Sequence, residues 1–206
     1  MRILCVPAFI VVADQISKLL VKGFSIPALN LHHEGYVIGT SFSIIGDFVR
    51  FTYIENAGIA FGIDVGGKLF LTLFTLAASI AIFAYLLKIK DEPRILRVAL
   101  AMILGGAIGN LIDRVFYGVL YGEAPLFYGR VVDFIDIDFF NINLLGYQVH
   151  RWPVFNIADA SVSVGVVILL LFHKRFSHAT MPVNSLESRG PQATPNEASD
   201  KTAHTR

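Results

Sequence analysis

Apolar residues gather into four long runs, at about 3–21, 69–89, 95–117 and 153–172, separated by stretches of mixed polarity. Each run holds roughly 19–23 residues. At ~1.5 Å rise per residue, a helix of that length crosses the ~30 Å hydrocarbon layer of a bilayer. The pattern predicts an α-helical membrane protein with four transmembrane helices. The first run reads as a retained helix, because no small-residue cleavage site closes it and it contains Asp14, Gln15 and Lys18, which a signal-peptide core excludes.

The connections carry weaker signals. Residues 47–63 (DFVRFTYIENAGIAFGI) are rich in β-branched and aromatic residues with glycine punctuation, which predicts a strand, a turn at 56–58 and a second strand. Residues 131–140 (VVDFIDIDFF) suit either an amphipathic segment lying on the membrane surface or a β-strand. After Phe176 the chain has no aromatic residue and is rich in Ser, Thr, Pro, Asn and Ala. Residues 177–206 are therefore expected to be a disordered tail, leaving 1–176 as the four-helix domain. Arg2, Lys88, Lys90, Arg94, Arg97, Lys174 and Arg175 flank the ends on one side of the membrane. The other side has fewer cations for its longer loops: Lys22, Arg50, Lys68, Arg130 and Arg151. By the positive-inside rule, both termini and the tight turn near 90 are cytoplasmic.

Composition agrees with this reading and narrows the chemistry. The 206 residues are 54% hydrophobic and 16% charged, whereas soluble domains run near ~45–50% apolar and ~25% charged. With 17 Lys+Arg against 16 Asp+Glu, no nucleic-acid footprint is indicated. A single cysteine, Cys5, excludes an internal disulfide and any multi-cysteine metal site, and reads as a small buried hydrophobe. His32, His33 and Glu34 lack metal-ligand spacing and read as exposed loop residues; Asp136 and Asp138 read as a solvated edge. No metal and no cofactor are expected.

Charged groups inside a bilayer are costly, so their positions matter. Asp14, Ser17 and Lys18 lie in the outer half of the first run, and Asn110, Asp113 and Arg114 at the outer end of the third. Asn156 and Asp159 lie at the outer end of the fourth. At ~1.5 Å per residue from 153, Asp159 sits only about 9 Å into its run. Each set follows i, i+3 or i, i+3, i+4 spacing and so shares one helix face. These faces form a single polar layer, while the inner halves are uninterrupted apolar helix. One reading is structural glue, with Asp–Lys and Asp–Arg pairs clamping a bundle. Asp159 stands apart, having no cation one turn away in its own helix. Two neighbouring aspartates that share a proton can act as base toward water and acid toward a carbonyl. Asp133, Asp113 and Asp14 all qualify as the partner of Asp159 on these grounds. Gly105, Gly106 and Gly109 are expected at a close helix contact.

Five stretches resemble the lipoprotein signal peptidase family (signal peptidase II): DQISK at 14–18, ENAGIAFG at 55–62, GGAIGNLIDR at 105–114, VVDF at 131–134 and FNIADAS at 155–161. They occur in the family's order, each at its expected place relative to the four runs. The resemblance implies an intramembrane aspartic endopeptidase of the bacterial inner membrane. It would cut a prolipoprotein just before its diacylglyceryl-modified cysteine and release the signal peptide. It also implies a catalytic pair, Asp133 and Asp159; substrate-binding or pocket-bracing roles for Asn56, Gly58, Asn110, Arg114 and Asn156; and a structural role for Asp14. The loop patterns and the depth of the polar layer already point to a small periplasmic β-element, a membrane-surface segment and a site near the outer leaflet. The expected partners are that prolipoprotein and membrane lipid, and a monomer is expected. The connection at 115–130 is longer than in many members, and reads as a surface flap or a membrane-resting turn. The competing readings are a small proton-coupled transporter or channel, and a non-catalytic assembly factor. A transport path needs polar residues reaching the inner face, which the inner halves lack.

Overall fold

The computed structural model describes residues 2–58, 67–138, 142–144, 147–149 and 151–179. Among the described residues, three helices are long and apolar enough to cross a membrane: Arg2–Lys22, Gly67–Lys88 and Arg94–Leu120. The first contains α1 (Cys5–Lys22) and the second is α2 (Gly67–Lys88). The third joins α3 (Arg94–Ile112), through a π-helical turn at Asp113–Tyr117, to the single turn α4 (Gly118–Leu120). A further helix, α5 (Ile157–Ala179), has a shorter apolar stretch, Ile157–Phe172. Pro93 immediately precedes α3 and ends the tight turn from α2.

α3 is the centre of the bundle, packing most extensively against α5 and next against α1. Glycine makes the closest approach possible: a Cβ at Gly106 would collide with the Ala158 carbonyl oxygen. Ser161 Oγ donates to the Met102 carbonyl at 2.9 Å across the same interface. The outward faces carry large exposed apolar side chains such as Phe9, Phe74, Leu170 and Leu171, as lipid-facing helices do. Cys5, expected to be buried, is exposed on α1. A small hydrophobe at a membrane helix surface needs no protein cover, because the surrounding solvent is itself apolar.

Two of the sequence boundaries move. α5 starts at Ile157 rather than 153, because Phe155 pairs with Ile135 in extended conformation and donates its N–H to the Ile135 carbonyl at 3.0 Å. α5 also runs to Ala179, so residues 177–179, assigned to the tail, are helical. Hydrophobicity marks where lipid ends, but a helix can continue past it. The remainder of the tail lies outside the described residues.

A small sheet sits at one end of the bundle. β3 (Ser41–Ile45), β4 (Val49–Asn56) and β5 (Val131–Ile137) form an antiparallel sheet with β4 central. Residues 131–137 are thus a strand, which settles the choice left open by their composition. Two short hairpins accompany it: β1 (Phe24–Ile26) with β2 (Leu31–His33), and β6 (Ile142–Leu144) with β7 (Tyr147–Val149). The second strand predicted within 47–63, after the turn at 56–58, falls on 59–63, outside the described residues. Val21, Phe51, Tyr53, Tyr117 and Val132 form a core where sheet meets helices. A separate cluster, Leu86, Ile89, Ala101 and Leu104, closes the other end of the bundle.

The long connection after α4 is held to the rest of the molecule by hydrogen bonds. It folds back on the end of the third helix, with Gly129 N–H donating to the Arg114 carbonyl at 2.9 Å and Phe127 N–H to Val115 at 3.2 Å. Lys22 binds Glu123 at 2.7 Å and also pairs with Glu55, while Tyr121 Oη donates to the Gly23 carbonyl at 2.6 Å. The connection therefore ties α1 to β4 and delivers the chain directly into β5.

Candidate active site

The residues FNIAD write their own local structure. Asn156 is the residue before α5: its Oδ1 accepts the Asp159 N–H at 2.9 Å, and Asp159 Oδ2 accepts the Asn156 N–H at 3.3 Å. This reciprocal pairing across three residues is a capping box built from Asn and Asp. It holds Asp159 in the first turn of α5, where the helix dipole favours a carboxylate. Asn110 Nδ2, from α3, donates to the other Asp159 oxygen at 2.7 Å.

Asp133 comes from β5, opposite Ile54 of β4, and is 1% exposed. Asn156 Nδ2 donates to its Oδ1 at 2.6 Å, and the same amide reaches Asn110 Oδ1 at 3.0 Å and the Val132 carbonyl at 3.3 Å. One side chain thus touches Asp133 while bracing Asp159. Asn56, at the end of β4, also hydrogen-bonds Asp133. Asn56 Oδ1 accepts the Gly58 N–H at 2.8 Å. This tight turn needs a positive φ of 83° at Gly58, a conformation that side chains disfavour. Burial, and then the nearby Asp159 charge, push the Asp133 carboxyl up to about 7, while the Asn56 and Asn156 hydrogen bonds act the other way.

Asp14 and Asp113 occupy different surroundings. Lys18 Nζ lies 2.8 Å from Asp14 Oδ2, 2.8 Å from Asp113 Oδ2 and 2.9 Å from Asn110 Oδ1. All three charged side chains are 0% exposed. Gln15 Nε2 donates to Asp113 Oδ1 at 2.9 Å. Each carboxylate also accepts a backbone N–H: Ala158 donates to Asp14 Oδ1 at 3.0 Å, and Val132 to Asp113 Oδ2 at 3.2 Å. Ala158 immediately precedes Asp159, and Val132 immediately precedes Asp133. Of the three candidates for a partner of Asp159, two are therefore bound to Lys18, and Asp133 lies in the same hydrogen-bonded cluster as Asp159.

Arg114 lies on the π-helical turn, within electrostatic reach of Asp159, Asp113 and Asp133. Its Nε is buried without a partner among the described residues. Its Nη1 would be 3.4 Å from a Cβ placed on Gly58, so the turn at 56–58 and the guanidinium face each other. Asp159 also lines a largely apolar cavity of about 300 Å³ with Trp152, Phe155, Ala160, Ser163 and Val164. The seven candidate residues, Asn56, Gly58, Asn110, Arg114, Asp133, Asn156 and Asp159, are brought to one end of the bundle. Asp136 is not at a solvated edge: it is 5% exposed, accepts from Thr52 Oγ1 at 2.7 Å and pairs with Arg151 at 2.8 Å.

Residues 6–174 match the family model described as signal peptidase (SPase) II. The chain belongs to the signal peptidase II family. The lipoprotein signal peptidase of Pelodictyon phaeoclathratiforme (strain DSM 5477 / BU-1) is 34% identical over 180 residues, spanning 87% of this chain and 94% of that protein. The one from Clostridium tetani (strain Massachusetts / E88) is 41% identical over 135 residues, spanning 66% of this chain and 75% of that protein. A solved bacterial membrane enzyme superposes with a TM-score of 0.61 at 30% identity, over 87% of this chain and 92% of its own. A small transporter or channel finds no support among these relatives.

Sequence reasoning overlooked two features of this signal peptidase II chain. One is the use of Asp14 and Asp113 to hold backbone N–H groups; only their shared depth hinted at it. The other is the cavity wall formed by Trp152 and Phe155. An aromatic residue just before a capping box was the available signal, since that position packs against the first turns of the helix.

Proposed function

We propose that Asp133 and Asp159 are the catalytic pair of an aspartic endopeptidase that removes signal peptides from prolipoproteins, cutting before the diacylglyceryl-modified cysteine. The observation that carries this reading is the shared hydrogen-bonded cluster: Asn156 bonds Asp133 and caps Asp159, and among the described residues no cation forms an ion pair with either. Asp133, pushed up to about 7, holds the proton and donates it to the scissile carbonyl oxygen. Asp159, accepting hydrogen bonds on both oxygens, takes a proton from the attacking water. The tetrahedral diol then collapses: the C–N bond breaks, the diol proton returns to Asp133 and the Asp159 proton passes to the leaving amine. Arg114, whose Nη1 faces the turn at 56–58 and whose buried Nε has no partner among the described residues, holds the substrate backbone. The cavity beside Asp159 receives an apolar part of the substrate.

The same reading makes α5 the fourth span, 1–176 one peptidase unit and 177–206 a cytoplasmic tail. Both termini lie in the cytoplasm of a bacterial cell, the sheet in the periplasm and the site near the outer leaflet, with the enzyme acting as a monomer. The clustering of Asp14, Lys18, Asn110, Asp113, Asp133 and Asp159 at the sheet end of the bundle supports that depth. The test is cleavage of lipidated and unlipidated prolipoprotein by the purified enzyme. Cleavage before the cysteine of the lipidated substrate alone is expected, with no loss of rate in chelator. Equal cleavage of the unlipidated protein, or loss in chelator with recovery in zinc, overturns the assignment.

The pH profile offers an independent check. Deprotonation of Asp133 removes the acid, so kcat/KM falls as pH rises through about 7. Asn56 stabilises the ionised form by hydrogen bonding; removing it favours the proton. Asn56→Ala is therefore expected to move the alkaline limb to higher pH while lowering kcat. An unmoved limb would detach Asp133 from that titration.

A further inference from the structure

At the end of the bundle away from the carboxylates, a cavity of about 610 Å³ lies between the start of the chain and the start of α3. Its wall is Arg2, Ile3, Val6, Arg94, Arg97 and Val98. Three arginines thus line one space, and none has a carboxylate within ion-pair distance among the described residues. Asp91 and Glu92 sit in the adjoining turn yet form no bridge to them. Arg97 Nη1 donates to the Lys90 carbonyl at 2.7 Å, but its Nε is buried with no partner among the described residues. The N-terminus of α3 opens onto the same region with no side-chain cap and no acidic residue in its first turn.

A buried guanidinium nitrogen without an acceptor is expensive, and several cations sharing one cavity repel each other. Both costs disappear when an anion with several acceptor oxygens fills the space. The remaining wall chooses the anion's source. Ile3, Val6 and Val98 are apolar, and on α1 the neighbouring Phe9 is fully lipid-facing in character at 74% exposure. A free inorganic ion gains nothing from an apolar wall, whereas a lipid headgroup brings its glycerol and first acyl carbons to it.

We propose that this cavity is a binding site for the phosphodiester of an anionic membrane lipid, with Arg2, Arg94 and Arg97 as its ligands. It is independent of the catalytic assignment, lying at the opposite end of the bundle. Basic pockets of this kind between transmembrane helices recognise phospholipid headgroups in general.

The test uses the full chain in neutral detergent, delipidated and titrated with short-chain phosphatidylglycerol, short-chain phosphatidylcholine or inorganic phosphate, followed by native mass spectrometry. Phosphatidylglycerol is expected to bind at least about tenfold more tightly than phosphatidylcholine, consistent with a charge-assisted site. R94Q/R97Q is expected to lose that preference while still cleaving substrate, and K88Q/K90Q, which removes the same charge from the neighbouring turn, is expected to keep it. Three results overturn the proposal: equal binding of the two lipids by the wild-type chain, equal loss in both double variants, or inorganic phosphate binding as tightly as phosphatidylglycerol. The first and third need no variant, so misfolding of R94Q/R97Q leaves the proposal open to refutation.

Discussion

Asp159→Asn is expected to lower turnover of a lipidated prolipoprotein by about 10²–10⁴-fold, the range set by loss of a positioned acid or base. The variant remains isosteric, and an amide oxygen at 159 can still accept either from Asn110 Nδ2 or from the Asn156 N–H that completes the capping box. Folding and insertion should survive, so the loss is chemical: an amide takes no proton from water. Asp133→Asn should cost a similar factor, since the side chain keeps its place beside Asn156 but can no longer supply the proton. If the two proposed catalytic carboxylates act as one unit, D133N/D159N should be about as inactive as either single variant rather than worse by the product. Multiplicative losses, or substantial turnover by either single variant, would remove the pair from the reaction. Preserved processing in cells carrying Asp159→Asn would instead favour the assembly-factor reading.

Much of this architecture was legible because membranes punish polarity. Residues such as Asp14, Lys18, Asn110 and Asp113 announce themselves by standing in apolar runs, and their i, i+3, i+4 spacing fixes a shared face. The start of α5 was also readable in principle, from the Asn-x-x-Asp pattern at 156–159, but the apolar run beginning at 153 concealed it. What pattern could not supply is pairing across distance. β5 is flanked by β4 on one side and Phe155 on the other, and its first three residues are all buried. The polar–apolar alternation of a half-exposed strand is therefore missing. β3 gives the opposite difficulty: all five residues are exposed, so no buried face betrays it. Depth and spacing alone did not separate the three aspartates that qualified as partners of Asp159; the family resemblance pointed to Asp133, and the tertiary contacts show Asp14 and Asp113 both meeting Lys18.

Lys18→Met is expected to destabilise the fold by about 3–5 kcal/mol, the cost of stripping one partner from a buried ion pair. Here the loss leaves two carboxylates, Asp14 and Asp113, both 0% exposed and deprived of their common cation. Against a total stability of about 5–15 kcal/mol, that is a large share. Lys18 touches neither proposed catalytic carboxylate, so its effect on turnover passes through position and through its charge, which lowers the Asp133 pKa from a distance. Asp113 holds the N–H of Val132, one residue before Asp133, and Asp14 holds the N–H of Ala158, one residue before Asp159. Thermal unfolding in detergent and the cleavage assay measure the two consequences separately. The triple variant D14N/K18M/D113N distinguishes charge from packing. It removes all three charges while leaving amide oxygens to accept the Ala158 and Val132 N–H groups, and so should melt well above Lys18→Met alone. Wild-type melting and turnover in Lys18→Met would show that the ammonium holds nothing in place. A triple variant no more stable than the single one would show that the ammonium's packing, rather than its charge, holds β5 against the start of α5.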